Sequence, residues 1–209
     1  MNRIEYVLHP WHGLSFGKGS PDILDVFIEI TPADTVKYEI DKASGYIRLD
    51  RPQKYSNRTP CLYGFIPQTY CGDKIANLCM SRTGKKGIRG DGDPLDICVL
   101  TSSPITQGNI ILSVIPIGGF RMIDKKEADD KIIAVLKDDD IFGSMKNISD
   151  CPKALVDKLK HYFLTYKLSP EDEKKEPIVE IAEIYEQREA KEVIVTSMDD
   201  YTEKFVKNR

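Results

Sequence analysis

Leu24-Asp25-Val26-Phe27-Ile28-Glu29-Ile30 sets Leu24, Val26, Ile28 and Ile30 on one face of an extended chain and Asp25, Phe27 and Glu29 on the other. A period of two is the mark of a half-buried strand, and here it turns Glu29 either outward or into a site. Residues 36–41 repeat the pattern, with Val36, Tyr38 and Ile40 on one face and Lys37, Glu39 and Asp41 on the other. Working outward, strands are predicted over 46–49, 63–67, 96–100, 110–117, 131–136 and 178–184. Short strands at this spacing, with Gly and Pro between them, suggest a barrel or sandwich and not a parallel sheet. Helical periodicity comes late. From Pro152 onward, Leu155, Val156, Leu159, Tyr162, Phe163 and Tyr166 form one apolar stripe, with Asp150 or Cys151 as cap. A second helix is predicted over about 190–207. Residues 1–21 read as irregular, and 72–90, with Thr83-Gly84-Lys85-Lys86-Gly87, as a surface hairpin or loop insertion. The reading is a single domain over 1–209, mainly β with α, in the α+β class.

Length and composition agree with a soluble globular chain. The 209 residues carry 30 Lys+Arg against 33 Asp+Glu, a formal charge of −3, which lacks the basic excess of a nucleic-acid binder. The five cysteines, Cys61, Cys71, Cys79, Cys98 and Cys151, form no C-x-x-C pair and match no zinc module, so inert free thiols are expected. The start, MNRIEYVLHPWHG, has no apolar secretory core, and no apolar run approaches the roughly 18 residues of a membrane span. A cytoplasmic protein without membrane partners is expected.

Several motifs fail on context. Gly13-Leu14-Ser15-Phe16-Gly17 matches the nucleophile elbow formally, but no buried strand precedes it and Lys18-Gly19-Ser20-Pro21 starts no helix. Gly84-Lys85 lacks the earlier glycine of a phosphate-binding loop, since Cys79 stands there. His9, His12 and His161 are not spaced as metal ligands, and Asp138-Asp139-Asp140 reads as a solvated loop.

Gly90-Asp91-Gly92-Asp93-Pro94-Leu95-Asp96 is different: three carboxylates stand at the mouth of an apolar strand. Two carboxylates about 5 Å apart repel by roughly 3 kcal/mol at an effective dielectric of about 20. Aimed at one point, they cost stability unless a cation neutralises them, and hard oxygen ligands select Mg2+, Mn2+ or Ca2+. An EF-hand is excluded by Leu95 and Ser102 at ligand positions. An exposed acidic turn remains the alternative for this segment alone. A second cluster, Asp124, Asp129 and Asp130, is read in a polar loop between Gly118-Gly119-Phe120 and the strand opened by Lys131. Two acidic clusters at strand ends, with Lys37 and Arg51 on polar strand faces, suit several metals and a polyanion, which points to metal-assisted hydrolysis of a phosphoanhydride.

Asp91-Gly92-Asp93-Pro94-Leu95-Asp96 resembles the signature of the soluble (family I) inorganic pyrophosphatases. Lys37-Tyr38-Glu39-Ile40-Asp41-Lys42, Asp50-Arg51, Tyr63-Gly64, Asp124 with Asp129 and Lys131, and Tyr166-Lys167 follow in the family's order, over roughly residues 24–205. The resemblance implies an OB-like, strongly twisted five-stranded β-barrel with two flanking C-terminal helices. It implies Asp91, Asp96 and Asp129 as ligands of a first metal, Asp96 bridging to a second, and Asp124 with Asp129 holding a third. Glu39 and Glu29 would bind metals partly through water. Asp93 resembles the residue that orients and deprotonates the attacking water. Lys37 and Tyr63 would hold the attacked phosphate, and Arg51, Tyr166 and Lys167 the leaving one, with Lys131 among the cations gathered for the polyanion. The cofactor implied is Mg2+, several per site, with Mn2+ or other divalent ions able to substitute. The partner is pyrophosphate, and the assembly a homo-oligomer, hexamer or dimer.

The chain departs from the pattern at Leu62, where many members carry Asn, and at Thr59, where an aromatic is expected. The longer segment from about Gln68 to Gly90 resembles that of eukaryotic members. Two rivals stand beside this reading. One is another metal-dependent phosphohydrolase with a DxD motif; of these, a haloacid-dehalogenase-type phosphatase would need an apolar strand before that motif, and Lys86-Gly87-Ile88-Arg89-Gly90 is none. A non-catalytic metal-binding OB-type module would release no phosphate from pyrophosphate.

Overall fold

The computed structural model describes residues 8–169 and 179–207. In chain order the elements are β1 (Leu24–Ile30), β2 (Val36–Ile40), β3 (Ile47–Pro52), β4 (Leu62–Phe65), α1 (Asp73–Thr83), β5 (Arg89–Gly90), β6 (Asp96–Leu100), β7 (Ile110–Asp124), β8 (Glu127–Ala128), β9 (Lys131–Leu136), α2 (Lys153–Thr165), β10 (Val179–Glu186) and α3 (Gln187–Tyr201). Five strands close on themselves: β1 pairs β4, β4 pairs β6, β6 pairs β9, β9 pairs β7, and β7 returns to β1. Only the β6–β9 pairing in this ring is parallel. Closure depends on the 15 residues of β7, whose first half pairs β1 while its second half reaches β9, β8 and β10.

The hydrophobic pattern explains why the ring is covered on both faces. Along β6, Ile97 and Val99 join Leu24, Val26, Ile75, Val193 and Ile194, whereas Cys98 and Leu100 join Phe120, Ile133, Leu159 and Phe163. The ring thus packs α1 and α3 on one side and α2 on the other. Burial on both faces is what near-continuous apolar runs such as Lys131–Leu136 require. The β2–β3 hairpin stands outside the ring as its own two-stranded sheet.

The barrel, the strand at Leu24–Ile30 and the presence of two late helices agree with expectation, and five local readings need correction. Residues 72–90 carry α1, a packed helix, in place of a hairpin; it has no side-chain cap of its own, and only Ile75, Ala76 and Cys79 bury. The strand predicted over 110–117 runs on through Gly118-Gly119 to Asp124, so Asp124 ends a strand instead of sitting in a loop. Ladder pairing to β9 and β10 overrides the glycines there. The strand predicted over 46–49 runs on as Ile47–Pro52, and the last helix is Gln187–Tyr201 with a π-helical turn following. Pro152 itself caps α2, while the Asp150 carboxylate accepts from the Lys146 and Asn147 N–H groups. Residues 1–7 of the predicted N-terminal segment, and Ile178 of the predicted last strand, lie outside the described residues. Among the described residues no helix is long and apolar enough to cross a membrane.

Candidate active site

The ring brings the ends of β1, β4, β6, β7 and β9 to one edge. Register does the work: Phe65 lies opposite Asp96, Asp96 opposite Lys131, and Lys131 opposite Phe120. The β2–β3 hairpin closes one side and the residues just after α2 close another. Between them is a cavity of about 370 Å³ lined by Glu29, Lys37, Glu39, Tyr63, Asp91, Asp93, Asp96, Asp124, Asp129, Lys131, Tyr166 and Lys167. Every residue assigned from sequence is there except Arg51, whose guanidinium pairs with Asp50. Asp50 is the extra residue of a bulge between Lys37 and Tyr38 in the hairpin register, and it also takes Lys37 at 3.1 Å. Lys42 and Glu127 line the cavity too and were assigned no role from sequence. Glu127 arrives through the tight turn Lys125-Lys126, both residues at positive φ (49° and 70°), a turn without the Gly or Asn that signals one.

Gly92, at φ 78°, lets the chain turn between Asp91 and Asp93, and the Asp93 N–H closes the turn by donating to Asp91 Oδ1 at 2.9 Å. Each carboxylate meets a donor. Lys131, only 2% exposed, lies between Asp96 and Asp129; Lys167 holds Asp124, and Lys42 holds Asp93. Tyr63 Oη donates to Asp96 Oδ2 at 2.6 Å, and Lys37 to Glu39 Oε2 at 2.9 Å. Glu29 accepts the Ile40 N–H at 2.6 Å, which ties β1 to the hairpin. Tyr166 stacks on Tyr162, with ring centroids 5.2 Å apart, and Lys167 Nζ stands 5.3 Å from the Tyr166 ring centroid.

Burial dominates the electrostatics. It pushes Glu29 up to about 8, and with the Asp129 charge it raises Asp91 far above the usual carboxylate range. Burial also raises Asp129, against the pull of the Lys131 ammonium. Burial works against Lys131 in turn, but Asp129 and Asp96 outweigh it and hold its proton well above the ordinary lysine range. These donors are hard oxygens, and Asp124 Oδ1 is buried without a hydrogen-bond partner. That chemistry fits divalent cations such as Mg2+. Among the described residues no three carboxylates close on one point, because ammonium groups stand between them.

A closed five-stranded ring with carboxylates and cations gathered at one edge has the chemistry that suits divalent metals and a small polyanion. The inorganic pyrophosphatase family model matches residues 26–202, and the chain belongs to that family. An inorganic pyrophosphatase of Chlamydia muridarum is 50% identical over 202 residues, 96% of this chain and 97% of the relative. Soluble inorganic pyrophosphatase 1 of Arabidopsis thaliana is 36% identical, over 97% of this chain and 84% of that one. The crystal structure of the inorganic pyrophosphatase from Thermus thermophilus aligns with a TM-score of 0.76 at 28% identity, over 93% of this chain and 99% of that one. The protein is a hydrolase of pyrophosphate, in a family that depends on divalent metals.

Proposed function

We propose that the chain uses Mg2+ to hydrolyse pyrophosphate to two orthophosphates by direct in-line attack of water, with no covalent enzyme intermediate. The supporting observation is convergence: side chains from six strands, the β2–β3 hairpin and the residues just after α2 line one cavity, with opposite charges interleaved and, among the described residues, no Ser, Cys or His in the lining. Asp91, Asp96, Asp124 and Asp129 would hold the metals, with Glu39 and Glu29 behind them. Bound there, Mg2+ supplies charge neutralisation and a lower pKa for the attacking water. Asp93, half-exposed at the cavity wall, orients that water and takes its proton. Lys37 and Tyr63 hold the attacked phosphate. Lys167 and Tyr166 stabilise the charge that develops on the leaving phosphate, and Arg51, which lies outside the cavity lining against Asp50, would join them only by leaving that carboxylate. Lys131 pairs with Asp96 and Asp129 and sets a fixed positive charge beside those ligands. Residence in the cytoplasm as a homo-oligomer completes the reading, supported by the family and by the word soluble in the name of the Arabidopsis relative.

The test is phosphate release from pyrophosphate with Mg2+, with EDTA, and for Asp93→Asn. EDTA should abolish release, and Asp93→Asn should lower kcat by about 10²-fold or more, the usual range for losing a general base. Full activity in Asp93→Asn would remove the role given to that carboxylate.

A further inference from the structure

We infer that Asp200, on α3 and outside the cavity, is a positioning residue for the Asp91-Gly92-Asp93 turn. The inference rests on the roles proposed above for Asp91 and Asp93. Asp200 is only 6% exposed, and its carboxylate accepts three backbone N–H groups at the start of α1: Gly72 at 3.0 Å, Lys74 at 3.1 Å and Ile75 at 3.0 Å. Those are the orphan donors of a helix that brings no cap of its own. One turn earlier on α3, the Ser197 carbonyl accepts the Tyr70 N–H at 3.0 Å. Both neighbours of Cys71 are therefore bonded to α3.

Cys71 in turn grips the acidic turn. Its N–H donates to the Asp93 carbonyl at 2.8 Å, and its carbonyl accepts the Gly92 N–H at 3.1 Å. Gly90 passes so close that a Cβ there would stand 2.1 Å from the Cys71 oxygen. Two residues back on the same strip, Thr69 Oγ1 accepts the Leu95 N–H at 2.9 Å. The strip 69–72 is thus a backbone mould, with one edge on the acidic turn and the other on α3. An isosteric amide at Asp200 offers one acceptor oxygen where the carboxylate offers two, so it leaves N–H groups of Gly72 or its neighbours facing a donor. The mould then loses its outer edge at the residue beside Cys71. Displacing aimed groups by about 1 Å can cost about 10²-fold in rate, so a partial relaxation is expected to be visible.

The experiment titrates Mg2+ alone into the protein by calorimetry, alongside kcat, KM and thermal melting. Asp200→Asn should weaken Mg2+ binding about fivefold or more and lower kcat about tenfold, with KM within about twofold. Asp200→Glu, which keeps both oxygens, should restore most of each. Arg82→Ala frees α1 from Glu189 and Glu192 without touching the strip, and it should match the parent in both readouts. A folded Asp200→Asn with parental Mg2+ affinity and kcat, altered only in melting, would reduce Asp200 to a helix cap and overturn the inference. Equal losses in Arg82→Ala would overturn it as well. If Asp200→Asn yields no folded protein, Thr69→Val removes the acceptor at the other end of the strip, and unchanged Mg2+ affinity there would count against the mould. An inactive Asp93→Asn beside a normal Asp200→Asn refutes this inference alone, whereas an active Asp93→Asn refutes the site reading beneath it.

Discussion

Asp139 stands between two other aspartates in a run that reads as solvated, yet it is only 9% exposed. Its carboxylate accepts from Thr101 Oγ1, from the Ser102 N–H and hydroxyl, and from the Ile141 and Phe142 N–H groups, locking the loop after β9 to the loop after β6. Burial opposes the charge, but those hydrogen bonds, led by Phe142 and Ser102, outweigh it and hold the carboxyl far below the usual range. A depressed folded pKa gives stability that is present above the unfolded value of about 3.9 and lost as pH falls through the folded value. Asp139→Ala should therefore destabilise by about 2–4 kcal/mol at neutral pH, and urea unfolding should show that difference shrinking steadily below about pH 4. Composition hid this residue: three aspartates in a row look alike until the fold shows which one faces inward. The same limit applies at the site. Asp91, Asp93 and Asp96 were legible because apolar Leu95 and the β6 run fix their place. Glu127 was not, since it lies past a turn, Lys125-Lys126, that no residue type announces, and Lys42 was not, since it opens the Asp41–Gly45 turn, where an exposed lysine is ordinary.

Among the elements, the hairpin β2–β3 shares no ladder with the barrel, so its shape is set by its own register and by the Glu29 tie to Ile40. The bulge at Asp50 bends it and supplies the carboxylate that takes both Lys37 and Arg51. Deleting Asp50 heals the ladder and straightens the strand, so Lys37 and Arg51 lose their aim together. KM for pyrophosphate should rise about tenfold, equivalent to about 1.4 kcal/mol, while the melting temperature falls by no more than a few degrees. An unchanged KM would show that the bulge does not aim these cations. Strands were easy to read where one face was polar, as in Leu24–Ile30 and Val36–Ile40. Helix α1 was not, because its cap comes from Asp200, more than a hundred residues away, and its buried stripe is only three residues. The long course of β7 was hidden too, since local glycine preference gives way to pairing with strands distant in sequence.

For the whole molecule, the charge of −3 averages over an uneven distribution in which eight carboxylates and four ammonium groups line one cavity at the edge of the ring. Folding raises Asp91 and Asp129 above their unfolded values, so their ionised forms weigh against the native state as pH rises. Mg2+ reverses that balance by favouring the ionised carboxylates. At about 100 times its dissociation constant it should add about 2.7 kcal/mol, a rise of roughly 5–10 °C in melting temperature over EDTA, with the larger rise at pH 8 than at pH 5. A melting temperature indifferent to Mg2+ at both pH values would show that the folded chain does not bind the ion in preference to the unfolded one. The five cysteines offer a different view of the same body. All are free and buried, at the start of β4, beside the acidic turn, within α1, in β6 and ahead of α2. A thiol in the core reacts with an alkylating reagent only when its surroundings open. The chain therefore carries five built-in clocks, each timing the exposure of its own region, with the one at Cys71 set in the mould that holds the acidic turn.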